Sequence, residues 1–144
     1  MSAKTLGGFE RQLCDIQGRL FMLSQAMNLN SPSFFEKFMN SKTCAFLDMP
    51  YDRLQWAGEE YILETLLDEV HIPPPGELYG TQELFWAGYV YRYWHLLTGE
   101  SSGAIYAQAD ARRMKECYLG FHTLECSMAI ENLKEIHICT TMSL

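Results

Sequence analysis

Residues 81–97, TQELFWAGYVYRYWHLL, decide the fold because six of them are aromatic. On a helix of 3.6 residues per turn these rings point in almost every direction, and a helix that is apolar on all sides is normally enclosed by other helices. We therefore predict an all-α domain, a bundle of about six helices packed around a central aromatic helix at Glu83–Leu97.

Composition supports a single folded domain over residues 1–144. Hydrophobic residues make up 48% of the chain and charged residues 20%, which argues against a disordered chain. The net charge of -7 disfavours nucleic acid as a partner, because phosphates would be repelled. The N-terminus lacks the apolar segment of a secretion signal, and no stretch approaches the roughly 18 apolar residues of a membrane span. We expect no membrane contact and a cytoplasmic location.

Apolar residues at alternating spacings of three and four mark the first helix, which we predict from Phe9 to Asn28. Two interpretations are open for this seam: one face of a bundle helix, or the interface of a homodimer. Its members are Leu6, Phe9, Leu13, Ile16, Leu20, Leu23 and Met27.

The next segment contains a start signal and a long helical pattern. Ser31-Pro32 predicts an N-cap followed by proline in the first turn of a short helix. We predict an irregular segment from Ser41 to Pro50, with one helical turn at most, over Cys44–Leu47, and with Asp48 as the cap of the next helix. That helix is long and is predicted from Tyr51 to His71.

The second half of the chain begins with a break. The prolines of Ile72–Gly76 end the preceding helix and form a rigid connector. After the aromatic helix we predict a helix capped by a serine at 101–102, another over Ala111–Phe121, and a last one capped by Thr123. The tail, His137–Leu144, is predicted to be loose or a short strand.

Acidic side chains recur along one face of the long predicted helix. Glu60, Glu64 and Asp68 stand four residues apart. Like charges at this spacing cost an isolated helix about 0.2 to 0.5 kcal/mol per pair, so they do not serve helix stability. The face is either simply solvated or docks a basic protein partner.

Charged and titratable groups on the aromatic helix suggest a second kind of site. Arg92 and His95 lie one turn apart, with Tyr91 beside them and Glu100 in the turn after the helix. A guanidinium holds an anion and an imidazole transfers protons near neutral pH, so these four residues are candidates for a site that binds a phosphorylated or nucleotide-like ligand.

A structural interpretation of the same residues is also open. Arg92 would then belong to a satisfied polar cluster, paired with Glu59, Glu60 or Glu100. Whether the protein is an enzyme is not decided by these patterns.

Other chemistry finds little support in the sequence. Five cysteines at wide spacings, with no C-x-x-C pair, predict reduced thiols that mostly pack in the core. No histidine motif predicts a metal site, and no P-loop, G-x-G-x-x-G or nucleophile elbow occurs, so we predict no metal and no cofactor.

Three blocks carry a resemblance: YDRLQWAGEEYILETLLDE (51–69), YVYRYWHLLTGESSGAIY (89–106) and GFHTLECSMAIENLKE (120–135). From Ser31 to Glu135 the chain resembles a family of small uncharacterised proteins of gut Firmicutes, often encoded near mobile or toxin-antitoxin-type genes. The resemblance implies an accessory or neutralising role and no established activity. It makes Tyr93, His95, Glu100 and His122 residues to test, and we add His122 to the four candidate ligand residues.

The sequence therefore supports two functions from different classes. The first is a non-enzymatic interaction module, antitoxin-like or immunity-like, that binds a basic partner through Glu60, Glu64 and Asp68. The alternative is a small-molecule-binding protein or enzyme that uses Arg92 and His95 on an anionic ligand.

Overall fold

The computed structural model describes residues 5–142, and in that part of the chain every regular element is a helix, with no strand. The fold class is therefore all-α, as predicted. The described residues form eight α-helices and one short 3-10 helix, more elements than the six predicted. The α-helices are α1 Gly8–Ala26, α2 Ser31–Met39, α3 Lys42–Asp48, α4 Glu59–Glu69, α5 Thr81–Thr98, α6 Ser102–Gln108, α7 Ala111–Phe121 and α8 Cys126–Met142, and the 3-10 helix is Arg53–Trp56.

Helices α1 and α5 pack closely because each presents a buried glycine to the other. A Cβ atom added at Gly88 would lie 2.5 Å from the carbonyl oxygen of Gln17, and one at Gly18 would lie 2.7 Å from the ring of Phe85. Both positions lack room for any side chain. This helix pair forms the base on which the other helices pack.

Aromatic rings from three helices fill the core. The ring of Phe21 on α1 lies 5.0 Å from that of Phe34 and 4.9 Å from that of Phe35, both on α2, in edge-to-face geometry. Tyr91 on α5 completes the cluster at 6.0 Å from Phe21. Such ring pairs stabilise a core beyond the area they bury.

The aromatic helix is enclosed on part of its circumference only. Leu84, Tyr91 and Trp94 are buried, whereas Phe85 and Trp86 are half-buried beside an open groove. The expectation that neighbours surround this helix on all sides is therefore not met. Its open side leaves aromatic rings within reach of a ligand or a partner.

The predicted irregular segment from Ser41 to Pro50 is largely helix α3. The Ser41 hydroxyl accepts a hydrogen bond from the Cys44 amide at 2.9 Å, which caps the helix. The Glu69 carboxylate accepts the amides of Lys42 and Thr43 at 2.7 and 2.9 Å. This second cap comes from a residue far away in sequence, which explains why local patterns understate the helix.

The single helix predicted from Tyr51 to His71 is wrong, because the chain breaks in its middle. Asp52 caps the 3-10 helix through the Leu54 amide. Gly58, with φ of 84°, then turns the chain before α4 begins. Glycine adopts this left-handed conformation without the steric cost that other residues meet.

The last helix also differs from the prediction. It begins at Cys126 rather than directly after Thr123, and it continues to Met142, so the tail is neither loose nor a strand up to that residue. The remainder of the predicted tail, residues 143–144, lies outside the described residues.

Helix α1 uses its apolar seam inside the chain. Leu13 and Leu20 are buried in the bundle, whereas Phe9 and Met27 remain exposed. Packing inside the bundle therefore explains the apolar residues at the centre of the seam. A homodimer formed through this seam stays a prediction.

Candidate functional site

Arg92 lies at the centre of a buried polar cluster. Its side chain is 2% exposed, and each of its three nitrogen atoms donates a hydrogen bond within the protein. Nε donates to Oε1 of Gln17 at 2.9 Å, Nη1 to Oδ1 of Asp48 at 2.6 Å and Nη2 to Sγ of Cys44 at 3.4 Å. The guanidinium therefore ties α5 to α1 and α3.

Asp48 is the ion-pair partner of Arg92. Its carboxylate also accepts the main-chain N–H of Ser102 at 2.9 Å and the Ser102 hydroxyl at 2.7 Å, so it holds the start of α6. The structural interpretation of Arg92 expected a pair with Glu59, Glu60 or Glu100, and those partners are wrong. Asp48 was expected instead to cap the helix predicted from Tyr51 to His71. A charge buried with a partner and further hydrogen bonds is the usual way in which a core accommodates arginine.

The acids that the sequence suggested for Arg92 are used elsewhere or are exposed. Glu59 pairs with Arg19 at 3.2 Å, and Glu60 lies exposed on α4. Glu100 approaches the cluster through its carbonyl group, not through its carboxylate.

His95 is held by two main-chain oxygens. Its Nδ1 lies 2.6 Å from the carbonyl oxygen of Glu100, and its Nε2 lies 3.0 Å from that of Asp48. The side chain is 13% exposed. Each ring nitrogen thus faces a main-chain acceptor, and the ring bridges the end of α5 and the end of α3.

The space beside Arg92 is too small for a ligand. A void of about 10 Å³ lies between Arg92, Gln17 and Leu20, which is at most the volume of one water molecule. Tyr91 is fully buried, and its hydroxyl donates to the Ala109 carbonyl at 2.6 Å. The void beside Arg92 therefore could not admit a nucleotide.

The Glu100 carboxylate is the centre of a second polar cluster, next to the Trp94 indole. It accepts hydrogen bonds from the Trp94 indole, Lys134, Gln108 and Thr98. Burial alone would raise the pKa of Glu100, but these four hydrogen bonds outweigh it and lower the pKa to about 2. The carboxylate is ionised at neutral pH and joins α5, α6 and α8.

The fifth predicted ligand residue, His122, lies apart from the others. It is exposed at the end of α7, where its ring stacks on that of Tyr118 with centroids 4.4 Å apart. Its Nδ1 lies 2.8 Å from the Tyr118 carbonyl oxygen, one helical turn back. The structure therefore separates His122 from Arg92 and His95 and places it beside an open groove.

We call this groove between α1, α5 and α7 the aromatic groove. Its volume of about 460 Å³ lies within the range of typical ligand pockets. Trp86 meets Tyr118 edge to face at 5.9 Å in its wall. The groove is lined by Met22, Thr81, Gln82, Phe85, Trp86, Tyr89, Tyr118 and His122.

Sequence patterns did not identify the aromatic groove. Phe85 and Trp86 were assigned to an enclosed helix, and Tyr118 carries no local signal. Only the orientation of three helices brings these rings together. The one hint in sequence was an excess of aromatic residues over what a single helix can bury.

The acidic face of α4 consists of Glu60, Glu64 and Asp68, and all three side chains are exposed. Within residues 5–142 no hydrogen bond or ion pair engages these three carboxylates. Glu59 differs because it pairs with Arg19. Glu69 differs because it caps α3; burial opposes its ionisation, yet the hydrogen bonds from Lys42 and Thr43 lower its pKa.

A second hollow connects the acidic face with the aromatic groove. Its volume is about 320 Å³, and its lining includes Glu60 and the ion pair of Arg19 with Glu59. Met22 and Thr81 line both this hollow and the groove. The acidic face and the groove therefore belong to one continuous surface.

The thiols and the metal-ligating residues form no evident centre. All five cysteines are reduced, and burial raises the pKa of Cys14 to about 12 and that of Cys44 to about 11. A neutral thiol is a poor nucleophile. In the described part of the chain, no three His, Cys, Asp or Glu side chains are grouped so that they could hold a metal ion.

Among residues 5–142, every helix is too short or too polar to cross a bilayer. Compared with protein-family models, with curated proteins and with solved structures, the chain has no match.

Proposed function

We propose that this chain is a non-enzymatic protein-interaction module that binds a basic partner through the acidic face of α4. The observation that carries the proposal is that only two of the five carboxylates of this helix have partners within the described chain. Glu59 and Glu69 serve intrachain contacts, whereas the acidic face is left without them in the described chain.

Electrostatics favour a basic protein as the partner. The acidic face places three like charges on successive turns, which costs helix stability and gains nothing within the fold. A positively charged partner would relieve that repulsion. Complementary charge of this kind mainly accelerates association and selects the partner, and the net charge of -7 acts in the same direction.

The alternative, a small-molecule protein or enzyme using Arg92 and His95, has less support. Every nitrogen of the guanidinium is engaged within the protein, and both ring nitrogens of the histidine face main-chain oxygens. The void beside them, about 10 Å³, is too small for a nucleotide-like ligand. Their observed contacts are those of residues that position helices.

An antitoxin-like or immunity-like role in the bacterial cytoplasm fits a small acidic module of this kind. Neutralising a basic partner protein requires a docking surface and no catalytic centre. The resemblance to small Firmicutes proteins encoded near toxin-antitoxin-type genes also favours an antitoxin-like or immunity-like role.

The test is co-expression with the product of the adjacent gene, followed by binding measured at about 50 mM and about 300 mM salt, a range over which exposed charges become screened. The variant carries Glu60→Lys, Glu64→Lys and Asp68→Lys. The control carries Glu36→Lys, Glu77→Lys and Glu131→Lys, which replace exposed acids elsewhere and give the same net charge.

We expect the acidic-face variant to lose binding and the control variant to retain most of it at the lower salt concentration. Binding of the wild type should weaken as salt rises. Equal retention of binding by the two variants would reject the acidic face as the docking surface.

A further inference from the structure

We propose that the aromatic groove receives the large apolar side chains of the partner's basic segment, so that the partner is recognised by charge and by apolar contact together. This inference rests on the proposed function, because it places the same partner on the surface that continues from the acidic face. The occupant is therefore a protein segment in which lysine or arginine residues accompany leucine or aromatic residues.

Continuity of the surface is the first support. Glu60 borders the second hollow, and Met22 and Thr81 separate that hollow from the aromatic groove. Glu64 and Asp68 extend the negative charge along α4 by one and two turns. A segment lying along this path would meet carboxylates at one end and aromatic rings at the other.

The groove is also preformed. The Tyr118 hydroxyl donates to Oε1 of Gln82 at 3.2 Å, while its ring contacts both Trp86 and His122. These contacts join α7 to α5 at the groove wall. Binding to such a wall costs little reorganisation, which favours affinity.

The residue types are those of an interface core. Aromatic residues and methionine are enriched at the buried centres of protein interfaces. Met22 is 37% exposed at the rim, where an unbranched thioether adapts to different partner side chains. Trp86 and Tyr118 are suited to act as the principal contacts, because tryptophan and tyrosine dominate binding energy in most interfaces.

A protein segment fits this groove better than a small molecule does. Pockets for small molecules bury about 70 to 90% of the ligand surface. The aromatic groove is open to solvent and runs into the second hollow, so it would leave one side of a small ligand uncovered. Glu59 on the adjoining hollow is already paired with Arg19, which also lines it. The carboxylate of Glu60 adds a preference for a cationic occupant, which a neutral aromatic compound would not use.

Two synthetic peptides of equal length and equal charge serve as probes. Both carry the same lysines. The apolar probe has leucine and tryptophan at every third or fourth position, and the control probe has alanine at those positions. Affinity is measured by fluorescence anisotropy of the labelled peptides with the full chain.

We expect the apolar probe to bind the wild type about tenfold more tightly than the control probe. Trp86→Ala should reduce this ratio to near one. Trp56→Ala should leave it unchanged, because Trp56 is exposed and stacks on Phe9 outside the groove. Met22→Lys repeats the test at an exposed rim position. It replaces an apolar contact by a charged group, which should weaken the apolar probe more than the control probe and so lower the ratio without disturbing the core.

The outcomes separate this inference from the proposed function. If the acidic-face variant binds both probes as the wild type does, the proposed function fails. If that variant weakens both probes while the wild type binds them equally, only the aromatic groove is rejected. A ratio of affinities that Trp86→Ala and Met22→Lys both leave unchanged would also reject the aromatic groove as the docking site. So would free indole that binds the wild type but not Trp86→Ala and that the apolar probe does not displace. Self-association through the groove, seen as a dimer in solution that Trp86→Ala abolishes, would likewise overturn a heterologous partner.

Discussion

Arg92 and Asp48 join α5 to the end of α3 through a 2.6 Å hydrogen bond from Nη1 to Oδ1, with side-chain exposures of 2% and 14%. The pair lies where sequence patterns suggested a ligand site. Its further contacts, to Gln17 and Ser102, bring in α1 and α6. The polar groups of the aromatic helix therefore hold four helices in position.

Arg92→Met should destabilise the fold strongly. Removal of one member of a buried ion pair leaves the other charge uncompensated and costs about 3 to 5 kcal/mol. We expect about 3 kcal/mol by urea denaturation, because Asp48 keeps its hydrogen bonds from Ser102. Adding Asp48→Asn should recover part of the loss, since no unpaired carboxylate then remains.

An exposed control, Arg53→Met, should change the free energy of unfolding by less than about 0.5 kcal/mol. A comparable loss in both single variants would contradict a structural role for Arg92.

Acid should weaken the second polar cluster. The pKa of Glu100 is lowered from 4.5 to about 2, so its contribution to stability is fully present above pH 4.5. It is lost as the pH falls from there towards 2. Because the side chain is partly exposed, we expect this contribution to be only about 1 to 2 kcal/mol.

Urea denaturation of the wild type and Glu100→Gln at about pH 6 and about pH 3 tests this expectation. The gap in stability between the two proteins should shrink at the lower pH. A gap that stays constant would show that ionised Glu100 does not stabilise the fold.

The contact between α1 and α5 should tolerate no side chain at Gly88. Its Cβ would lie 2.5 Å from the main-chain oxygen of Gln17, which cannot move without disturbing α1. Gly88→Ala should cost about 1 to 3 kcal/mol, as overpacked cores do. Gly120→Ala is the matched control, because a Cβ there meets nothing within 4 Å, and it should be neutral or stabilise α7 by up to about 1 kcal/mol. Thermal unfolding of the two variants compares them directly, and equal melting temperatures would argue against close packing at Gly88.

Local signals in the sequence predicted most of the helices, but not the extent of α3 or the break between the 3-10 helix and α4. A serine does cap α6, where the Ser101 hydroxyl accepts the Ala104 amide at 3.1 Å. Proline does lie in the first turn of α2, although Asn30 rather than Ser31 is the cap. These features depend on residues within one turn, so a short pattern contains them.

Contacts between distant residues were beyond such patterns. Asp48 and Arg92 are separated by 44 positions, and nothing near either residue specifies the other. The cap that Glu69 supplies to α3 also comes from a distant residue, 26 positions away from Thr43. Helical periodicity places a side chain on a face but does not say which helix covers that face. For this reason the aromatic helix was predicted, while its open side was not.

Thiol labelling should match burial. Cys14 and Cys44 are fully buried, with pKa values raised by burial, whereas Cys139 is exposed on α8. Iodoacetamide should label Cys139 first in the native protein, and should reach the two buried thiols only after unfolding. Peptide mass spectrometry identifies the labelled sites. Early labelling of Cys44 would contradict the closed polar cluster around Arg92.

The most direct measurement uses the three tryptophan indoles in a ¹⁵N–¹H NMR titration with the apolar, lysine-containing probe peptide. Trp86 reports on the aromatic groove, Trp94 on the buried region next to His95 and Glu100, and Trp56 on the surface outside both. We predict that the Trp86 indole signal shifts with the peptide while the Trp94 signal stays in place. A shift confined to Trp94, with Trp86 unchanged, would contradict a docking surface on the outside of the bundle and would favour a site at Arg92 and His95.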